Sequence, residues 1–331
     1  MTLSRSTPPA KAIALLILIF GLLPACGKDA GSGSGPSGDG RSTGPKAAAP
    51  SHPSAVIGVS LLTRTHPFYQ DLEAGLQAAA AEHNYQLLIQ SGEFDVAKQK
   101  DQLENFLVRK VDAIVLCPCD SRSIGTTVQA ANMAGIPVFT ADIAVLADQA
   151  KVVCHTASDN VAGGRLAAQA LAEAVGESGE IAIIDHPEVE SVIQRVAGFE
   201  EELARHPGIT IVAKLPGRGT KDIAFRTAED ILQAHPGLDG FFGINDDTAL
   251  GALAAVEKAG KLGQIAIVGF DAVPEARAAI DAGKIAADVV QQPQQIGRAT
   301  IAAVAAYLSG GAVPPVQLIP CALYLGEDVT H

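Results

Sequence analysis

The chain has 331 residues and a formal net charge of -12, with 48% of its residues hydrophobic and 18% charged. That length allows one large domain or two medium ones with sizeable cores, and the composition is that of a globular protein. An acidic surface repels phosphate backbones, which argues against nucleic acid as a partner.

The first residues read as an export signal. Arg5 and Lys11 form a basic start, and Ala12 to Leu23 is an apolar run of signal-peptide length. A transmembrane helix needs about 20 apolar residues, so this run is short for a span. Leu23-Pro24-Ala25-Cys26 resembles a bacterial lipobox, although Pro24 is unusual there. Residues 1–25 are therefore expected to be removed, with Cys26 as the lipidation site and the mature chain in the periplasm or at the cell surface, held to a membrane. Residues 26–54, rich in Gly, Ser, Pro and Ala, cannot bury apolar area and read as a flexible tether.

From Val56 onward short β-rich runs alternate with amphipathic helical stretches. The runs are Val56–Leu61, Gln86–Ile89, Ala113–Leu116, Val138–Thr140, Lys151–Cys154, Ile181–Ile184, Ile211–Ala213, Gly240–Phe242, Ile265–Val268 and Ala286–Val290. Helical stretches include Gln70–His83, Val96–Lys110 and Val161–Val175. Such alternation predicts an α/β fold of parallel sheets flanked by helices. So many strands exceed the usual open sheet of about 4–6, which predicts two lobes. Lys151–Cys154 reads as the last strand of the first series, so the division is expected near His155. Ligands of parallel α/β sheets bind at the carboxyl ends of the strands. Asp142, Asn245-Asp246 and Gly269-Phe270-Asp271 fall there.

Much chemistry is missing. No G-x-G-x-x-G follows the first strand, and there is no P-loop, G-x-S-x-G elbow, H-E-x-x-H or EF-hand loop. His186, His206 and His235 each precede Pro and read as loop residues without a metal role. Asp246-Asp247 reads as acidic residues at a helix start, and Glu200-Glu201-Glu202 as a solvated face. No enzyme, cofactor or metal is expected. Cys117, Cys119, Cys154 and Cys321 allow three pairings that the sequence does not choose among. Cys117 and Cys119 lack the spacing of a C-x-x-C motif and read as free, half-buried thiols at a strand end.

An ordered set of motifs then points to a family. These are Ser60 to Tyr69 with His66-Pro67-Phe68-Tyr69, His155 to Asn160, Arg195 before Gly198-Phe199, and Asn245-Asp246 with Ala249-Leu250-Gly251. Gly269-Phe270-Asp271 and Gln291 to Gly297 complete the set. From Val56 to about Leu325 the chain resembles the ribose-type periplasmic binding proteins, whose fold is related to the ligand-binding part of LacI-type repressors; no helix-turn-helix precedes it here. The resemblance implies two Rossmann-like lobes joined by three crossing segments, with lobe 1 over 56–157 plus 292–319 and lobe 2 over 158–291 plus 320–331. It implies an extracytoplasmic solute-binding protein of an ABC importer, a monomer that closes on a monosaccharide or related polyol and presents it to a membrane permease. A sensory receptor that shows a bound sugar or signal molecule to a histidine kinase or chemoreceptor is the alternative.

Carried over by position, Phe68 and Tyr69 resemble the aromatic pair that sandwiches a sugar ring, and flat side chains suit the C–H face of a sugar. His66, Asp142, Arg195, Asn245, Asp271 and Gln291 match positions that hydrogen-bond sugar hydroxyls. Ile143 stands where the ribose binders have an arginine, His66 where they have an asparagine, and Gly219 near where a second-lobe aromatic is expected. These departures point away from ribose itself, toward a larger or less symmetric ligand in the space at Gly217-Arg218-Gly219, with Arg218 as a replacement donor.

Overall fold

Runs that are apolar at every position become strands covered on both faces. The computed structural model describes residues 52–326. Its first sheet is built from β1 (Ala55–Leu61), β2 (Tyr85–Ser91), β3 (Ala113–Leu116), β4 (Val138–Ala141) and β5 (His155–Ser158). The helices α1 (Pro67–Glu82), α2 (Val96–Arg109) and α3 (Gly125–Met133) connect these strands. The second sheet takes β6 (Gly179–Asp185), β7 (Ile209–Pro216), β8 (Gly240–Gly243), β9 (Ala266–Asp271) and β10 (Ala287–Val290). Its helices are α4 (Asn160–Ala174), α5 (Glu190–Leu203), α6 (Lys221–Ala234), α7 (Asp246–Lys258) and α8 (Pro274–Asp281). The chain then returns through α9 (Pro293–Leu308) and β11 (Val316–Ile319) before β12 (Ala322–Tyr324).

The two sheets share one topology, β11-β5-β4-β3-β1-β2 and β12-β10-β9-β8-β6-β7. All neighbours are parallel except β12, which runs antiparallel to β10. The helix α9 packs on α1 and on the first sheet, although it follows a strand of the second. The chain therefore crosses between sheets three times, after β5, after β10 and after β11. The segments expected to direct export and tethering fall, as far as residue 51, outside the described residues.

Two readings of the strands are corrected. Lys151–Cys154 is not a strand; the fifth strand is His155–Ser158, four residues later. Its polar letters conceal it, yet Thr156 and Ser158 are buried because their sheet position is flanked by β4 and β11. Neither β11 nor β12 was foreseen. Both are short and partly exposed, so neither carries the apolar run of a central strand. Nor is Glu200-Glu201-Glu202 wholly solvated: Glu202 is buried, accepting from Gln169 and Arg205, while Glu200 and Glu201 meet Lys214 and Arg165 at the surface.

Close helix contact in the second lobe depends on missing side chains. A Cβ on Gly164 of α4 would collide with the carbonyl oxygen of Arg195 in α5, and one on Gly198 with that of Val161. Gly164→Ala is expected to cost about 1–3 kcal/mol by forcing the helices apart. Because Arg195 moves with α5, a thermal melt should fall and binding should weaken together.

Candidate functional site

Each strand of the central region ends at the same cleft. β4 runs out into Asp142, β6 into His186, β8 into Asn245, β9 at Asp271 and β10 into Gln291. With the start of α1 and the first turns of α5 they enclose a cavity of about 50 Å³ between the lobes. The lining includes all eight ligand positions expected from the sequence, namely His66, Phe68, Tyr69, Asp142, Arg195, Asn245, Asp271 and Gln291.

His66 is the N-cap of α1, where Nδ1 accepts the Phe68 N–H at 3.2 Å. That bond leaves the ring proton on Nε2, which is buried without a hydrogen-bond partner and lies 3.5 Å from Asp271 Oδ2 across the cleft. Asp142 sits at positive φ, directly past β4. Its Oδ2 accepts from the Tyr69 hydroxyl at 2.7 Å, while Oδ1 is buried and unpartnered. Burial pushes the Asp142 carboxyl up to about 6, against the opposing pull of Arg195 and of the Tyr69 hydrogen bond. Burial also raises the Tyr69 phenol well above its ordinary value, and the Asp142 charge adds to this, so it stays a donor.

Arg195 is aimed by its surroundings. Its Nε donates to Asn160 Oδ1 and its Nη1 to the Ile244 carbonyl, both at 2.8 Å, and the guanidinium lies 3.9 Å above the Phe270 ring. Asn245 has its own structural duties. Its Oδ1 caps α7 through the Thr248 N–H, and Nδ2 donates to the Gly219 carbonyl. Gln291 joins two crossing segments, accepting from Ser158 Oγ and donating to Asp271 Oδ1, each at 2.5 Å.

Behind Asp271 lies a support the sequence did not suggest. Asp271 and Ala272 both hold positive φ, at 124° and 59°. The strained turn is clamped by two buried carboxyls: Asp288 accepts the Ala272 N–H and Asp246 the Val273 N–H. Their remaining oxygens, Asp246 Oδ1 and Asp288 Oδ2, are buried without partners, and both lie close to Gly269. Burial raises both, Asp288 to about 7. Asp246 is thus no solvated helix-start charge. Asn245 is the cap, and Asp246 points inward to brace the site.

Further expectations are corrected. Phe68 and Tyr69 stand edge to face, 81° apart with centroids at 5.1 Å, so they make a corner and no sugar ring fits between them. Arg218 is exposed on its turn and does not line the cavity. The space beside Gly219 is filled by His186, whose Nδ1 would lie 3.2 Å from a Cβ there, and His186 faces Phe94 at 6.4 Å across the cleft. His186 is a loop residue, as the Pro after it suggests, and its place directly past β6 puts it at the cleft. Cys117, Cys119 and Cys154 are free thiols but fully buried rather than half-buried, and Cys321 is a free, partly buried one.

The lobes also meet beside the cavity. The Ser121 N–H donates to the Glu188 carbonyl, and Ser121 Oγ accepts the Glu190 N–H at 2.9 Å. α5 has no side-chain cap of its own, so Ser121 supplies one from the other lobe.

Residues 57–312 match the family model described as a periplasmic binding protein domain. The ribose import binding protein of Bacillus subtilis is 34% identical over 243 residues, which are 73% of this chain and 78% of that protein. A solute-binding protein of Agrobacterium vitis, solved with α-D-tagatopyranose, is 30% identical with a TM-score of 0.80, covering 83% of this chain and 96% of that one. One from Actinobacillus succinogenes with bound D-allose is 29% identical with a TM-score of 0.76, covering 82% and 98%. This chain belongs to the periplasmic binding protein family. A periplasmic binding protein must enclose its solute and release it again. Here two of the buried polar atoms that lack partners, Asp142 Oδ1 and His66 Nε2, belong to residues lining the cavity, where solute hydroxyls could complete them.

Proposed function

We propose that this protein is the extracytoplasmic solute-binding component of an ABC importer, capturing a monosaccharide or related polyol by closure of its two lobes. The observation that carries this reading is the pair of orphaned buried polar atoms, Asp142 Oδ1 and His66 Nε2, on two strand-end loops of the first lobe that line one interlobe cavity. A hydroxylated ring supplies donors and acceptors to both, and its C–H face suits the Phe68–Tyr69 corner. The relatives include a ribose import binding protein and proteins solved with bound tagatose and allose, which supports a sugar of similar size here.

His66, Phe68, Tyr69, Asp142, Arg195, Asn245, Asp271 and Gln291 are the proposed contacts. The lobes are proposed to divide as 56–157 plus 292–319 and 158–291 plus 320–331. The protein acts as a monomer without catalysing a reaction, exported by residues 1–25 and held to a membrane through lipid on Cys26. Closure presents one shape to the permease, and the solute shifts the population toward it by binding the closed form better.

A thermal-shift screen of sugars and sugar alcohols tests the reading, because a ligand bound only by the native state raises the melting temperature. At least one monosaccharide or polyol is expected to raise it; a flat response across the whole panel would remove the assignment. The cross-lobe cap gives a second test. Ser121→Ala should weaken the best ligand of the screen about three- to tenfold, since a lost cap costs about 1 kcal/mol. The melting temperature without ligand should not change, because the bond forms only on closure. Unaltered affinity by calorimetry would show that Ser121 does not help hold the closed form.

A further inference from the structure

The cavity wall has a polar part and an aliphatic part. Its polar part comprises Asp142, Arg195, Asp271 and His66, with the last three near enough to act on the Asp142 carboxyl. The loop after β4 and the start of α5 contribute its aliphatic part, buried in one apolar cluster. This seats Ile143 by Val189 and Val192, which are 1%, 2% and 4% exposed and all line the cavity with Leu62. No side chain of these four carries a hydrogen-bonding atom. The Ile143 N–H is already bonded to the Ala141 carbonyl and that of Glu190 to Ser121. Thr63, on the facing loop, engages its hydroxyl with Thr65 and Glu93. Ser191 and Arg195 are the polar side chains of α5 that line the cavity.

We infer that the preferred ligand is a deoxy sugar, with hydroxyls toward Asp142, Arg195 and Asp271 and an unhydroxylated methyl or methylene carbon against Ile143, Val189 and Val192. The inference rests on the reading of the cavity as a monosaccharide site. A hydroxyl directed at the aliphatic wall loses its water and finds no partner, which weakens binding by about ten- to a hundredfold. A methyl in the same place leaves nothing unpaired and removes apolar surface from water. Discrimination of this sign comes from the wall rejecting a polar group rather than from a new attraction.

Isothermal titration of the purified protein with matched pairs tests it: D-galactose with D-fucose, L-mannose with L-rhamnose, and D-ribose with 5-deoxy-D-ribose. The expected result is that, in the pair that binds, the deoxy member is at least tenfold tighter. Val192→Thr keeps the shape of the wall and adds a hydroxyl, and should shrink that ratio at least threefold. Ile143→Gln should do the same, with melting temperatures checking that both variants fold. Equal or tighter binding of the hydroxylated member, or a ratio unmoved by both variants, overturns the inference. Binding of other polyols but of no member of these pairs overturns it while sparing the solute-binding reading. Binding of no sugar or polyol at all removes that reading too.

Discussion

Replacing Asp271 with alanine is expected to weaken sugar binding about a hundredfold or more, while the unliganded melting temperature stays within a few degrees. A hydrogen bond to a charged group contributes about 1.5–3 kcal/mol and about 1.4 kcal/mol is a factor of ten, so losing both carboxylate oxygens suffices. Asp271 closes β9, with Oδ1 fixed by Gln291 and Oδ2 facing His66 across the cleft. The strain of its positive φ is the same for alanine, so little folding energy changes. Asp271→Asn keeps the shape and exchanges one acceptor for a donor, and should fall between alanine and the wild type. Calorimetry with the best ligand of the screen measures all three. Undiminished affinity in the alanine variant would take Asp271 out of the site.

Asp288→Asn is expected to do the opposite to stability. At pH 8 it should raise the melting temperature by several degrees, a gain of about 1–3 kcal/mol from removing a desolvated charge. Asparagine can keep the Ala272 N–H on its oxygen and offer its amide as a permanent donor to the unpartnered Asp246 Oδ1. The sign follows from linkage. Asp288 titrates at about 7 in the folded protein against an ordinary value of 3.8, so the folded state holds the proton more tightly between those limits. The penalty of the buried charge is full above pH 7, shrinks as pH falls through 7, and is gone below about pH 4. The advantage of Asp288→Asn should therefore narrow steadily between pH 8 and pH 5. His155, which burial lowers to about 4, acts with the other sign, losing stability as pH falls from 6.5 toward 4. It is common to both proteins and cancels in the difference. A gap that stays constant with pH would show that Asp288 takes up no proton across this range. A binding loss would show that the turn of Asp271 needs the native acid.

Most of the architecture was legible in the residues. Fully apolar runs such as Ala113–Leu116 became central strands with their predicted limits, because burial on both faces permits few other sequences. The strand hidden in His155–Ser158 was not legible by the same rule: its polar side chains find partners in the crossing segments, as Ser158 does in Gln291. Among the contacts, those in strand-end motifs were found. Those that matter through packing were missed, as with His186 filling the place beside Gly219 and Asp288 bracing Asp271 from the next strand.

The sequence by itself determined that two parallel α/β lobes form and which strand-end residues border the cleft between them, since periodicity and strand-end position are local properties. Only the tertiary structure decided how those residues act. It set Phe68 and Tyr69 as a corner, placed Ser121 as the cap of a helix in the other lobe, and put Ile143 beside Val189 and Val192 in an aliphatic wall. Each of these depends on groups far apart in the chain meeting across a cleft, and no local pattern encodes which faces meet there or which polar atoms are left without partners.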